Sequence, residues 1–563
     1  MIDDSDSIVK SDSMQKNVFV NSVSQVVAVV VGLLSSSLLV RSIDISWTIS
    51  DYAHIKVLMY WSSLLSIIIM LGLTTGIIKS VSEAAHKREK MGSVIGVSLI
   101  AVTIAFLAVS FVSVFLAEQI GFLVGETPEV TNELRVLWIL VLFAMLPTAY
   151  YSIAGSVFIG LQRMNRILYI NLLYNGSRGV ILVLLFLTNL IGIREILYMY
   201  LGTAVVGFIV AAIILRREMR SEGISISVEG WREISGPLFK VSSVIFALAL
   251  LATFGNIIAP LIVDFVGSDT ELARYAIAQR SIETLKTFLN APFAILLPNM
   301  AGMRARGELQ RLRNRFDDAY RIIIPTLIFM FLSAFIFGPN LLGAIYGVRA
   351  LDVTGGFSAA QYFIVMSPIL LIVPITNLYS QLVLASDKMK VLLGIGVFSM
   401  ILQSVWTIIM QPMLGVLGIS LWWVSIFPVF ITYHLYCRKT LKINVRSSYL
   451  ARALLMCILF GALMIGVYFV AEFVVNGLSF LPFLNYLTIK SLAKLLFVIP
   501  LWYVFLGFCL VLGLMNFQDL ENLKKFLKQV PPLWWVSRPL LRLIERILMR
   551  NKPNLELREE TLE

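Results

Sequence analysis

The chain has 563 residues, of which 58% are hydrophobic and only 14% charged, with a formal net charge of +12. A soluble domain carries about 25% charged residues, so these values exclude an ordinary soluble enzyme or binding module and define a polytopic membrane protein. The excess of positive charge is spread over short loops between apolar runs, the pattern of cytoplasmic membrane loops rather than of a nucleic-acid-binding patch.

Residues 1–16 are polar and rich in serine and aspartate, without the apolar core and small-residue cleavage site of a signal peptide, and read as a disordered cytoplasmic leader. Hydrophobic spans are expected at about 17–41, 52–78, 92–116, 134–159, 168–188 and 195–215. Six more follow at about 237–264, 274–300, 321–343, 360–384, 391–411 and 415–437, and a last pair at about 453–475 and 489–515. Long apolar runs of this kind span as helices, so the fold class is an all-α membrane protein of about fourteen transmembrane helices. With the N-terminus inside, the inner loops hold 23 lysines and arginines and the outer loops six, Arg41, Lys56, Arg194, Arg274, Arg349 and Lys490. That asymmetry fixes the orientation, with both termini cytoplasmic in a cell membrane.

A weak repeat divides the spans. Asp51–Tyr52–Ala53 opens span two and Arg274–Tyr275–Ala276 opens span eight, 223 positions later; Leu161 and Leu384 share the same offset. Two six-span halves of one orientation are therefore expected, related by a pseudo-two-fold axis along the membrane normal, with two helices appended. The divisions are an N-lobe at 17–215, a cytoplasmic linker at 216–236, a C-lobe at 237–437, spans 13 and 14 within 438–515, and a basic amphipathic tail at 516–563 lying on the inner leaflet.

Function should sit where charge lies inside the membrane. Span eight carries Arg280, Glu283, Thr284, Lys286, Thr287 and Asn290 within an arc of roughly 160° at about 100° per residue. Ala278, Ile282, Leu285 and Leu289 form the opposite face. A central cation costs about 2.5–3.5 kcal/mol on insertion scales, so this stripe faces water, a partner helix or an anionic ligand. Two readings stand side by side. Glu283 is three residues from both Arg280 and Lys286, so the stripe is an ion-pair ladder or a substrate surface in which Glu283 serves as a salt bridge or an ion-coupling group. In span five Arg178 lies about ten residues deep, about 15 Å at 1.5 Å per residue, on one face with Asn171 and Asn175. Arg135, Lys240 and Lys494 stand near span ends and are expected to snorkel. Gln25 with Asn17, Asn21 and Ser35–Ser37 in span one, and Asn256 in span seven, either line the same cleft or pack helices. The three cysteines and three histidines form no ligand cluster, so no metal or other cofactor is expected.

The chain resembles the oligosaccharide (O-antigen type) flippases, the polysaccharide branch of the multidrug/oligosaccharidyl-lipid/polysaccharide (MOP) exporter superfamily. The resemblance rests on Asn17 and Asn21–Ser22, Leu38–Leu39–Val40–Arg41, Gly72–Leu73 and Leu161–Gln162, while the Tyr275–Arg280 run followed by Leu296–Leu297–Pro298 resembles span eight of the related lipid II flippases. It implies two lobes in a V that alternate between inward-open and outward-open states. The implied cargo is a polyprenyl-phosphate- or pyrophosphate-linked oligosaccharide, with membrane lipids and glycan-assembly enzymes as further partners, a monomeric carrier and no nucleic acid. Arg280 matches a span-eight arginine associated with the phosphate in the lipid II flippases, and Arg41 matches an outer-end arginine. Span one lacks the central charged pair of the lipid II flippases, which speaks against a peptidoglycan precursor, and Leu–Gly does not follow Arg41. A multidrug/cation antiporter of the same superfamily is the alternative, and it would want acids in its cavity. A polysaccharide polymerase or ligase would need a large outer loop with catalytic groups, and the outer loops are all under about 20 residues.

Overall fold

The computed structural model describes residues 30–43, 47–83, 88–115, 128–161, 163–266, 268–290, 300, 307–347, 350–353, 356–386, 388–442, 447–477 and 487–515. Among them the regular elements are all helices, apart from an isolated bridge between Ile43 and Trp47. The helices are α1 (Val30–Arg41), α2 (Ile49–Met70), α3 (Leu73–Glu83), α4 (Arg88–Phe115), α5 (Pro128–Gly160), α6 (Met164–Leu187), α7 (Ile193–Ser221), α8 (Trp231–Val266) and α9 (Asp269–Asn290). They continue as α10 (Leu309–Tyr346), α11 (Ala359–Met366), α12 (Ile369–Ala385), α13 (Met389–Ser420), α14 (Ile426–Thr440), α15 (Ser447–Gly477), α16 (Leu487–Leu495) and α17 (Val498–Val511).

Eleven spans among the described residues are long and apolar enough to cross a membrane. The three other expected spans coincide with α1, with the polar helix α9, and with the stretch from Gly415 through α14. Gly415 adopts φ 58° and ψ −140° inside α13, which divides expected spans eleven and twelve. The protein is thus an all-α, multi-pass membrane protein. Its membrane helices show large apolar residues outward, such as Phe111, Leu187 and Phe473, because lipid rather than water is their solvent.

Local chemistry sets the helix ends. Thr48 and Asp51 form a reciprocal capping box at the start of α2, and Ser358 with Gln361 does the same for α11. Span two is not one helix. Leu71 (φ 49°) and Gly72 (φ 68°) are both left-handed and separate α2 from α3. Glycine suits that conformation, and leucine rarely adopts it.

Packing divides the chain into two compact units. The first comprises residues 1–301 and 345–436. In it α5 packs on α7, α2 on α9 and α8, and α3 on α8. The second comprises residues 302–344 and 437–563. Its core is aromatic: Phe329 lies 4.7 Å from Trp502 and Phe460 lies 4.8 Å from Phe505, centroid to centroid. This partition follows packing, whereas the six-plus-six division follows the sequence repeat, and the two do not coincide.

Lys494 departs from expectation. It does not snorkel; its side chain is 8% exposed and is paired with Glu472 of α15 within the second unit. The carboxylate of Glu472, on a neighbouring helix, supplies its counter-charge.

Candidate functional site

Within the first unit, α1, α2, α6, α7, α8 and α9 enclose a cavity of about 490 Å³. Span one contributes Gly32, Ser35 and Ser36, and α2 contributes Lys56, Tyr60 and Ser63. Asn175 and Arg178 come from α6, Tyr200 from α7, Thr253 from α8, and Gln279, Arg280 and Glu283 from α9. The helical period explains the choice. Lys56, Tyr60 and Ser63 are spaced i, i+4, i+7, as are Ala276, Arg280 and Glu283, so each set forms one stripe of its helix. Lys56 and Gln279, and likewise Tyr60 and Glu283, stand 223 positions apart, the offset read from the sequence, and all four line the cavity.

The two stripes are joined directly. The Tyr60 hydroxyl donates to Gln279 Oε1 at 2.7 Å, and at the start of the helices the Ser50 hydroxyl donates to Asp269 at 2.5 Å. At the other end α3 closes on α8. A Cβ built on Gly72 would lie 2.3 Å from the Ser242 carbonyl oxygen, and one on Gly76 would lie 2.2 Å from the Ser242 hydroxyl oxygen. Only glycine permits that approach.

The cations fall into two groups. Lys286 is 2.5 Å from Glu283, with side chains 14% and 32% exposed, so the acid of the span-eight stripe is committed to the lysine. Lys56, Arg178 and Arg280 line the cavity, and among the described residues no carboxylate forms an ion pair with any of them. The Arg178 guanidinium carbon lies 3.6 Å from the centroid of the Tyr200 ring, and its Nε is buried without a hydrogen-bond partner. Lys56 Nζ lies 4.8 Å from the Tyr52 centroid. Glu283 pairs with Lys286, so three cations converge on the cavity without an ion-pair partner among the described residues. Such a site attracts anions.

Of the residues singled out from the sequence, the structure brings Arg178, Arg280, Glu283 and Asn175 together. Lys286 and Arg41 are not among the described residues that line the cavity. Lys286 turns to Glu283, and Arg41 Nε donates to the Ile345 carbonyl at 2.9 Å, where Ser37 also donates. Gln25 lies outside the described residues, as do the side chains of Asn256 and Asn290. Lys56 is the residue that sequence reasoning misassigned. Counted with the outer loops, it lies in the second turn of α2 and faces the cavity. The signal was present: Tyr52, Lys56 and Tyr60 recur every four residues, a helical stripe beginning with the capping box at Thr48.

The same fold occurs in solved transporters. The lipid II flippase MurJ in an inward closed conformation matches with TM-score 0.63 at 14% identity, covering 86% of this chain and 98% of that one. A MATE transporter in complex with MaD3S matches with TM-score 0.60 at 15% identity, covering 76% and 96%. A MOP superfamily transporter from Pyrococcus furiosus, described as having a binding pocket of reverse polarity that suggests a different function, matches with TM-score 0.61 at 14% identity, covering 76% and 96%. These likenesses define the class: a membrane protein with the MOP transporter fold. The chain belongs to the polysaccharide biosynthesis protein family, whose model matches residues 14–304, more than half of its length. No curated protein matches it by sequence.

Proposed function

We propose that the protein is a flippase that moves a polyprenyl-phosphate- or pyrophosphate-linked oligosaccharide from the cytoplasmic to the outer leaflet by alternating access. One observation carries this reading: Lys56, Arg178 and Arg280 face one intramembrane cavity without a carboxylate partner among the described residues. The phosphate of the carrier lipid is the anion that suits them. Arginine offers a planar fork of donors and lysine a compact charge. Ser35, Ser63, Asn175 and Gln279 supply hydroxyl and amide groups for the first sugars. The polysaccharide biosynthesis family supports a role for such a carrier in polysaccharide assembly. A cation antiporter, the alternative suggested by the MATE-like fold, is disfavoured because a cationic cargo would meet three like charges.

In this reading the two six-span lobes rock about the cavity, both termini are cytoplasmic in the cell membrane, and the glycan head crosses while the lipid tail stays in the bilayer. Glu283 is a structural counter-ion to Lys286. The test is flipping of a labelled lipid-linked oligosaccharide in proteoliposomes. Wild type flips. Lys56→Ala, Arg178→Ala and Arg280→Ala, each folded normally, fall by about tenfold or more, as losing a charge-assisted contact of about 1.5–3 kcal/mol requires. Unchanged flipping in all three would remove these cations from the substrate path.

A further inference from the structure

Two of the three cavity cations, Lys56 and Arg178, are partnered differently from the intramembrane cations outside the cavity. Lys286 and Lys494 do not line it, and each meets a carboxylate, Glu283 and Glu472 respectively. Lys56 and Arg178 line it, and each meets a tyrosine ring instead: Tyr52 at 4.8 Å and Tyr200 at 3.6 Å. The two contacts are built independently. Tyr52 is one turn before Lys56 on α2, whereas Arg178 on α6 reaches Tyr200 on the next helix, α7.

The chemistry of the two partners differs. A carboxylate answers a cation by accepting its N–H bonds, and it must be displaced before another acid can bind. An aromatic face attracts the cation through its quadrupole, from above the ring, and accepts none of the in-plane N–H donors. A guanidinium held over a ring is kept in place without its N–H donors being used by a carboxylate. The buried Nε of Arg178, without a hydrogen-bond partner, fits that arrangement. Tyr52 is fully buried and its hydroxyl also has no hydrogen-bond partner, so the ring, not the hydroxyl, is what that position supplies.

We infer that Tyr52 and Tyr200 are positioning residues that hold Lys56 and Arg178 ready for an anion, and that these rings make the cavity selective for a phosphate-bearing lipid over a neutral one. The inference rests on the anionic-cargo reading above and adds the residues that enforce it.

The experiment uses the full-length protein in detergent and two probes, farnesyl diphosphate and the neutral farnesol. Position 52 or 200 is replaced in turn by phenylalanine and by 4-fluoro-, 3,5-difluoro- and 3,4,5-trifluorophenylalanine. These side chains keep the ring's shape while draining its face of negative potential, so a packing role is left almost unchanged. The phenylalanine variants bind farnesyl diphosphate within about twofold of wild type, and affinity then falls stepwise with fluorination, by about tenfold at the trifluoro ring. Farnesol binding stays weak and flat across the series. Wild type that prefers the diphosphate, with affinity independent of fluorination at both positions, overturns the aromatic role alone. Wild type that binds farnesol as tightly as the diphosphate overturns the anionic reading, and the inference with it.

Discussion

At the scale of single residues, the question is which charges the protein answers for itself. Glu283 was legible as a partner for a neighbour three positions away, but spacing alone left Arg280 and Lys286 equivalent; the fold decides by directing Glu283 to Lys286. Removing one partner then leaves the other charge stranded, whereas removing both leaves nothing to answer. Glu283→Gln is therefore expected to lower stability by about 1–3 kcal/mol, less than a fully buried pair would lose because Glu283 is a third exposed. Glu283→Gln combined with Lys286→Met recovers most of that loss. Thermal unfolding in detergent of the single and double variants checks it. A double variant no better than the single would mean that Glu283 serves something other than Lys286. Lys56 shows the complementary limit of sequence reading. A lysine within a turn or two of a span end counts equally well as loop or helix, and only the path of α2 decides between them.

At the scale of elements, glycine spacing carries information that hydropathy does not. Gly72 and Gly76 let α3 touch α8. Gly92 and Gly96 of α4 receive the linker after α7, where a Cβ would lie 2.0 Å from the Ser225 carbonyl and 2.1 Å from the Ser227 carbonyl. Gly155, on α5, would meet nothing within 4 Å. The same substitution should therefore have opposite signs. Gly76→Ala forces α3 from α8 and costs about 1–3 kcal/mol, while Gly155→Ala fills open space and gains up to about 1 kcal/mol of helix propensity. Denaturation of the two variants side by side gives the contrast. Gly96→Ala displaces backbone rather than a side chain, so it should expose residues 224–228 to limited proteolysis in inside-out vesicles, where wild type resists. The helical class and the positions of most apolar spans were readable because long apolar runs have one stable form in lipid. The break at Leu71–Gly72 was not, because leucine in a left-handed conformation contradicts its local preference and persists only where tertiary contacts impose it.

At the scale of the whole molecule, the cavity lies between two sets of ties. On the side where α2 and α9 begin, expected to be the outer side, Ser50 bonds Asp269, and in the cavity wall itself Tyr60 bonds Gln279. On the side where α3 meets α8, expected to be the inner side, Gly76 abuts Ser242. Each tie joins a residue before the segment 216–236 to one after it. A carrier working by alternating access must open each in turn, so freezing either one stops it, whereas a passive pore or a scaffold would tolerate both. A cysteine pair replacing Ser50 and Asp269, whose side chains meet at 2.5 Å, is close enough to cross-link under mild oxidation. The oxidised pair should abolish flipping in proteoliposomes, and a thiol reductant should restore it to the level of the unoxidised variant. A single-cysteine control should be insensitive to both treatments. If the cross-link formed fully and flipping continued, that contact would be part of a rigid body and the moving surface would lie elsewhere in the chain.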